Sequence, residues 1–240
     1  TKVIPRYPQV EAVEAIVARC KDPKKKQGLI WHHQGSGKTF AMAYAAAKLR
    51  HESELDAPTI VIVLDRLELI QQTESEFKSV GIQSLKTAET KDELRALLKN
   101  DARCVIITTI FRFAEAGLLN DRANIVVMVD EAHRTQYGFK GRFDTKTGEI
   151  KYGLAKALRD ALPQATFLAF TGTPISQDDR DTQAVFGHYV SIYDIQQAVE
   201  DGATVPIYYE SRLAKLALKE PLLPQVDEQV DDLFADETFD

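Results

Sequence analysis

The sequence predicts an α/β fold: a doubly wound, mostly parallel sheet with helices on both faces. Three observations lead there. Near-continuous apolar runs of strand length recur at Thr59–Leu64, Cys104–Thr109, Ile125–Val129 and Thr166–Phe170. Stretches with helical periodicity separate them, and strands without polar alternation are buried on both faces, as in parallel sheets. A glycine string, Gly35-Ser36-Gly37-Lys38-Thr39, stands between an apolar run (Gly28–Trp31) and a helix-forming run (Phe40–Ala47). A chain of 240 residues with 44% hydrophobic content is large enough to bury one such core.

Taken in order, residues 8–20 carry apolar positions at helical spacing (Val10, Val13, Ile16, Val17) and predict an amphipathic helix. The glycine-loop strand and its helix follow, to about Arg50. The strand at Thr59–Leu64 leads to a helix from Arg66 to about Lys78, a short strand at Ile82–Lys86 and a helix at Lys91–Lys99. After Ile125–Val129 a polar, Gly-punctuated loop runs from Arg134 to Ile150. A helix near Tyr152–Ala161 then feeds the run at Thr166. Beyond Pro174 the pattern weakens, with a helix near Asp194–Glu200 and a strand at Val205–Arg212. From Pro221 prolines and acids dominate, as in a linker or frayed tail. The domain expectation is a nucleotide-binding lobe over 1–190, a connection over 191–218 and an acidic tail over 219–240.

Right-handed crossovers place the carboxyl ends of parallel strands on one edge. The glycine loop there is a phosphate cradle: Gly35, Ser36 and Gly37 let backbone N–H groups turn toward phosphate oxygens, and a helix N-terminus adds its positive end. Lys38 reaches β- and γ-phosphates, and the Thr39 hydroxyl ligates Mg²⁺. Asp130-Glu131-Ala132-His133 ends the run at Val129. Two carboxylates at the tip of a buried strand are costly unless a cation waits there. Either motif alone also fits a plain loop or a solvated strand end; together, in this order, they predict a site for a Mg²⁺-bound nucleoside triphosphate, ATP if Gln9 reads the base. Gln9, ahead of the first helix, has an amide suited to an adenine edge, although it equally fits an ordinary helix start.

Thr171-Gly172-Thr173-Pro174 closes another strand on that edge. Read locally it is a turn in which glycine supplies an unusual backbone angle; functionally, its hydroxyls and His133 are placed to sense the nucleotide. Thr108, Thr109 and Arg112 suit phosphate-backbone contacts, or plain helix caps. His32, His33, His51 and His188 lack ligand spacing and read as structural.

The net charge of −6 argues against a generally DNA-adhesive surface but leaves room for a local stripe. Lys21–Lys26 reads as a solvated loop at the opposite edge of the sheet. No long uncharged apolar stretch occurs, so no membrane span is expected. The first residues, Thr1–Pro5, carry neither Met nor a signal pattern, as expected of a piece cut from a longer protein. Two cysteines without metal spacing fit a reducing, cytoplasmic setting.

Gln9, GSGKT, DEAH and TGTP in this order resemble the first RecA-like lobe of superfamily 2 helicases and translocases. The strings His32–Thr39, Asp130–Gly138 and Phe170–Ile175, with Tyr193–Ile207 beyond them, resemble the motor (R) subunit of type I restriction enzymes. The likeness covers residues 1 to about 215. It implies that Lys38 binds the β/γ-phosphates, that Thr39 and Asp130 hold Mg²⁺, and that Glu131 polarises the attacking water. It further implies that His133, Thr171 and Thr173 couple hydrolysis to DNA, and that Thr108, Thr109 and Arg112 touch its backbone.

The partners it implies are double-stranded DNA, the modification (methyltransferase) and specificity subunits, and the remainder of its own chain. That remainder is a nuclease domain, whose acids and lysine have no candidate here, and a second motor lobe. Without that lobe's arginines, weak Mg-ATP binding and slow hydrolysis are expected; losing such a group costs roughly 10³–10⁵ in turnover. A helicase lobe acting on nucleic acid and a nucleotide-gated interaction module remain the alternatives.

Overall fold

The computed structural model describes residues 3–100, 103–114, 116–132, 142–144, 149–151, 154–174 and 182–206, with backbone alone for 142–144, 149–151, 184 and 185. The chain divides into compact units at 1–204 and 205–240. The fold described here is that of the first; of the second, only Val205 and Pro206 are described, outside any helix or strand.

The order of elements is α1 (Tyr7–Lys21), β1 (Gln27–His32), α2 (Lys38–His51), β2 (Thr59–Leu64), α3 (Leu69–Ser79), β3 (Leu85–Thr87), α4 (Lys91–Lys99) and β4 (Val105–Thr109). A 3₁₀ turn (Ile110–Phe113), β5 (Ile125–Val129), β6 (Arg142–Asp144), β7 (Glu149–Lys151), α5 (Leu154–Ala161), β8 (Thr166–Thr171), α6 (Thr182–Phe186), β9 (Tyr189–Tyr193) and α7 (Ile195–Glu200) follow. Seven strands form one sheet in the order β3-β4-β2-β5-β8-β1-β9, and every pairing in it is parallel.

Alternation along the strands assigns the two faces. Ile60 and Ile62 join Ile30, Met128 and Phe170 under α1, α2 and α3, which contribute Ile16, Met42 and Phe77. Val61 and Val63 point the other way, with Leu29, Val127 and Phe167, against Leu94 and Leu98 of α4, Leu158 of α5 and Phe186 of α6. The sheet is therefore doubly wound, as predicted. Helix α4 begins with a capping box: Thr90 Oγ1 accepts from Glu93 N at 3.2 Å, and Glu93 Oε2 accepts from Thr90 N at 3.3 Å. Thr90→Ala is expected to lower stability by ~1 kcal/mol, measured as a lower urea midpoint with an unchanged slope.

Three differences from the sequence reading stand out. The polar stretch 134–150 holds a two-stranded antiparallel ribbon, β6 with β7. Strand β9 was not foreseen; it is the sheet's last edge, pairing with β1, so a lobe boundary after residue 190 would cut through it. The strand expected at Val205–Arg212 is unstructured at Val205 and Pro206, and the rest lies outside the described residues. The Lys21–Lys26 loop is laced to its surroundings: Lys21 pairs with Glu52 and Glu54, and Lys26 Nζ donates to the Gln164 carbonyl. Among the described residues no helix is long and apolar enough to cross a membrane.

Candidate functional site

Parallel pairing brings the ends of β1, β8 and β5 side by side, with Trp31 opposite Thr171 and Ala169 opposite Val129. The glycine loop leaves β1 and enters α2 through Gly37. Gly35 and Gly37 have φ of +84° and +82°, a left-handed conformation that L side chains resist. The first amides of α2 have no partner within the helix and are available to an anion.

Lys38 opens that helix with only 9% of its surface exposed. Its Nζ donates to the His32 carbonyl at 3.4 Å and lies 4.0 Å from Glu131 Oε1. Gly172 closes the far side: a Cβ there would stand 3.2 Å from Gln34 N and 3.3 Å from Lys38 Nζ. Gly172 is not among the positive-φ residues. Glycine here suits a close approach, which corrects the expectation of an unusual backbone angle. Thr171 is buried, and its hydroxyl accepts from Thr173 N at 3.1 Å.

Asp130 and Glu131 follow β5. Asp130 N donates to the Val63 carbonyl, and Asp130 Oδ1 accepts from Glu131 N at 3.0 Å. Glu131 has φ +44°, a strained backbone of the kind concentrated at functional sites and costing on the order of 1–3 kcal/mol. Burial, then the neighbouring Glu131 carboxylate, push the Asp130 carboxyl up to about 6. An acid whose native pKa exceeds its unfolded value binds its proton more tightly in the folded chain. That contribution to stability is full below about pH 4 and lost as pH rises to about 6. In chelator-containing buffer, Asp130→Asn is therefore expected to melt higher than the parent chain at neutral pH and to lose that advantage below about pH 4. Parallel melting curves across that range would refute the assignment.

The paired carboxylates, the lysine and the glycine loop suit a metal-bound triphosphate: the acids and Thr39 offer hard oxygen ligands, and Lys38 supplies a fixed positive charge. Thr39 is half-buried on the first turn of α2. Among the described residues no cluster of three or more His, Cys, Asp or Glu could hold a metal by protein ligands alone. A cation here would thus share its ligands with phosphate and water.

Gln9 takes the helix-start role that the sequence also allowed, and it adds bonds to the glycine loop. It is 4% exposed, its Nε2 donates to the Ser36 and Gly37 carbonyls at 3.2 Å, and its Oε1 accepts from Arg6 N at 2.9 Å. In this conformation the amide braces the loop. Thr108 is fully buried with its hydroxyl donating to the Ala88 carbonyl at 3.0 Å, and Thr109 is 1% exposed. Both lie on an interior strand covered on two faces, so neither side chain presents itself to DNA, contrary to expectation. Arg112 is half-buried in the turn beyond them, beside the exposed Phe111. His133 lies outside the described residues. His32 and Ser191 were not assigned to the site by sequence, yet His32 Nε2 lies 2.8 Å from Ser191 Oγ at the loop's root.

The SWI2/SNF2 ATPase family profile matches residues 8–240. The chain is 48% identical over 211 residues to the type I restriction enzyme HindI endonuclease subunit of Haemophilus influenzae, covering 83% of this chain and 20% of that protein. It is 39% identical over 231 residues to the putative type I restriction enzyme MjaIXP endonuclease subunit of Methanocaldococcus jannaschii, covering 90% and 21%. The chain thus spans about a fifth of the length of these curated relatives.

Among solved structures, the type ISP restriction-modification enzyme LlaBIII bound to DNA aligns with TM-score 0.59 at 15% identity, over 84% of this chain and 16% of that one. The Sulfolobus solfataricus SWI2/SNF2 ATPase core in complex with dsDNA aligns with TM-score 0.53 at 21% identity, over 77% and 35%. At such identities the likeness bears on the fold alone. Since the family profile runs from the first helix to residue 240, the chain belongs to the SWI2/SNF2 ATPases, and the curated relatives compared with it are endonuclease subunits of type I restriction enzymes.

Proposed function

We propose that the chain is the first motor lobe of a type I restriction enzyme endonuclease subunit, a cytoplasmic assembly that moves double-stranded DNA with energy from Mg-ATP. The observation that carries this reading is the meeting of Lys38, Glu131 and the Gly172 backbone at one sheet edge, with the lysine ammonium 4.0 Å from the carboxylate. Lys38 and the amides of Gly35 to Thr39 bind the triphosphate. Asp130 and Thr39 hold Mg²⁺, which when bound neutralises charge on the phosphate oxygens. Glu131 orients the attacking water and accepts its proton. Such a base speaks against a pure nucleotide-gated interaction module, which has little use for one. Thr171, Thr173 and His133 couple the nucleotide to DNA, and Arg112 contributes a cation to that surface.

Turnover by the 240-residue chain alone is expected to be slow, because the charge that builds on the transferring phosphoryl group calls for arginines from a second lobe. The modification and specificity subunits are the expected partners. The decisive experiment uses the complete endonuclease subunit assembled with them: ATP-dependent displacement of a third strand from duplex DNA, without opening of the duplex. Strand separation instead would favour a helicase. ATP binding with neither activity would favour the gated module.

A further inference from the structure

His32 stands at the loop position where a small residue is usual in phosphate-binding loops, and it is 1% exposed. Room for the imidazole comes from the edge strand β9, where Ser191 presents a hydroxyl between Val190 and Ile192. The β1–β9 ladder is irregular, with a register shift between Leu29 and Ile30. Such a shift changes which side chains stand opposite one another across the two strands. At the end of β1 the backbone tie is the His33 N donation to the Tyr193 carbonyl at 2.9 Å. The imidazole adds a second tie, to Ser191 at 2.8 Å, and packs against the Tyr193 ring with centroids 5.9 Å apart. The carbonyl of the same histidine accepts from Lys38 Nζ.

We propose that the His32–Ser191 hydrogen bond is a positioning device for Lys38, anchoring the end of β1 to β9 so that the His32 carbonyl holds the ammonium where phosphate binds. The inference rests on the nucleotide-site reading and deepens it. Burial, then the Lys38 ammonium, then His33 lower the His32 imidazole to about 4, so the ring is neutral in ordinary buffers. It can tie the strands without placing a second cation beside the lysine. Strand β9 is also the last strand before α7 and residue 205, so this bond is where the chain's exit from the sheet touches the phosphate loop.

The alternative is a satisfied core histidine that supports stability and nothing else. Ser191→Ala separates the two, since it removes one hydroxyl and no bulk. Affinity for a fluorescent Mg-ATP analogue is measured in the full chain for the parent, Ser191→Ala, Ser191→Thr and Thr90→Ala, with thermal midpoints recorded alongside. Thr90 lies on the opposite side of the sheet from α2 and serves as a control for general destabilisation. Ser191→Ala is expected to weaken binding roughly threefold to tenfold, the range for one neutral hydrogen bond. Ser191→Thr should keep most of the affinity and Thr90→Ala all of it. Parent-like affinity in Ser191→Ala, or an equal loss in Thr90→Ala, overturns the positioning role while leaving the nucleotide site intact. Absence of binding by the parent chain overturns both.

Discussion

Lys38→Ala is expected to abolish measurable binding of Mg-ATP while the chain stays folded. The ammonium is nearly buried and lies 4.0 Å from Glu131. Its loss deletes the charge-assisted contacts to phosphate and leaves the Asp130 and Glu131 carboxylates closest to an incoming anion. Hydrogen bonds to charged groups contribute about 1.5–3 kcal/mol each, so loss of two corresponds to a hundredfold or more in affinity. The fold should survive because the side chain sits at the open edge of the sheet; its removal leaves no void among the apolar clusters on either face. Calorimetric titration with circular dichroism checks both halves, and an affinity within a few fold of the parent would remove the lysine from the site.

Gly37→Ala is the second large effect, and it falls on stability as well as on binding. The residue has φ +82°, and an added Cβ would stand 2.3 Å from Gln9 Nε2. That amide cannot swing aside freely, because it also bonds the Ser36 and Gly37 carbonyls and Arg6 N. The left-handed backbone costs a non-glycine residue roughly 1–2 kcal/mol. Breaking the Gln9 bonds adds about 0.5–1.5 kcal/mol for each one lost. With one or two of those bonds lost, a total of ~2–4 kcal/mol is expected from urea unfolding. Placing Gln9→Ala in the same chain should relieve the steric part and leave the backbone part. If the double substitution is no less damaged than the sum of the singles, the close approach is not the cause.

Much of this arrangement was legible because single segments encode it. The apolar runs at Thr59–Leu64 and Ile125–Val129 announce strands buried on both faces, and the stretch Lys91–Lys99 announces a helix. The glycine loop and the acidic pair were readable as chemistry for the same reason, each being contiguous. What escaped depends on pairing. Strand β9, Tyr-Val-Ser-Ile-Tyr, carries the aromatic and β-branched residues of a strand, but it is a short, partly buried edge without a long apolar run, and its place beside β1 is not written in it. Thr108 belongs to the Cys104–Thr109 run read as a buried strand, but that its hydroxyl bonds the Ala88 carbonyl, just beyond β3, is not written in its own residues. Gln9 is similar: its amide suits a base edge in isolation, yet the fold sets it on the Gly37 backbone. Gly172 looked like a turn residue until β8 was placed next to β1.

The strand order has a temporal consequence. During synthesis, Gln27–His32 leaves the ribosome long before either of its neighbours, Thr166–Thr171 and Tyr189–Tyr193, exists. Until then both edges of that segment are bare, and unsatisfied edges invite association between nascent chains. A chain released before Tyr193 would carry the whole nucleotide-binding string on an exposed margin, so translation pauses and chaperone engagement should matter most in that interval.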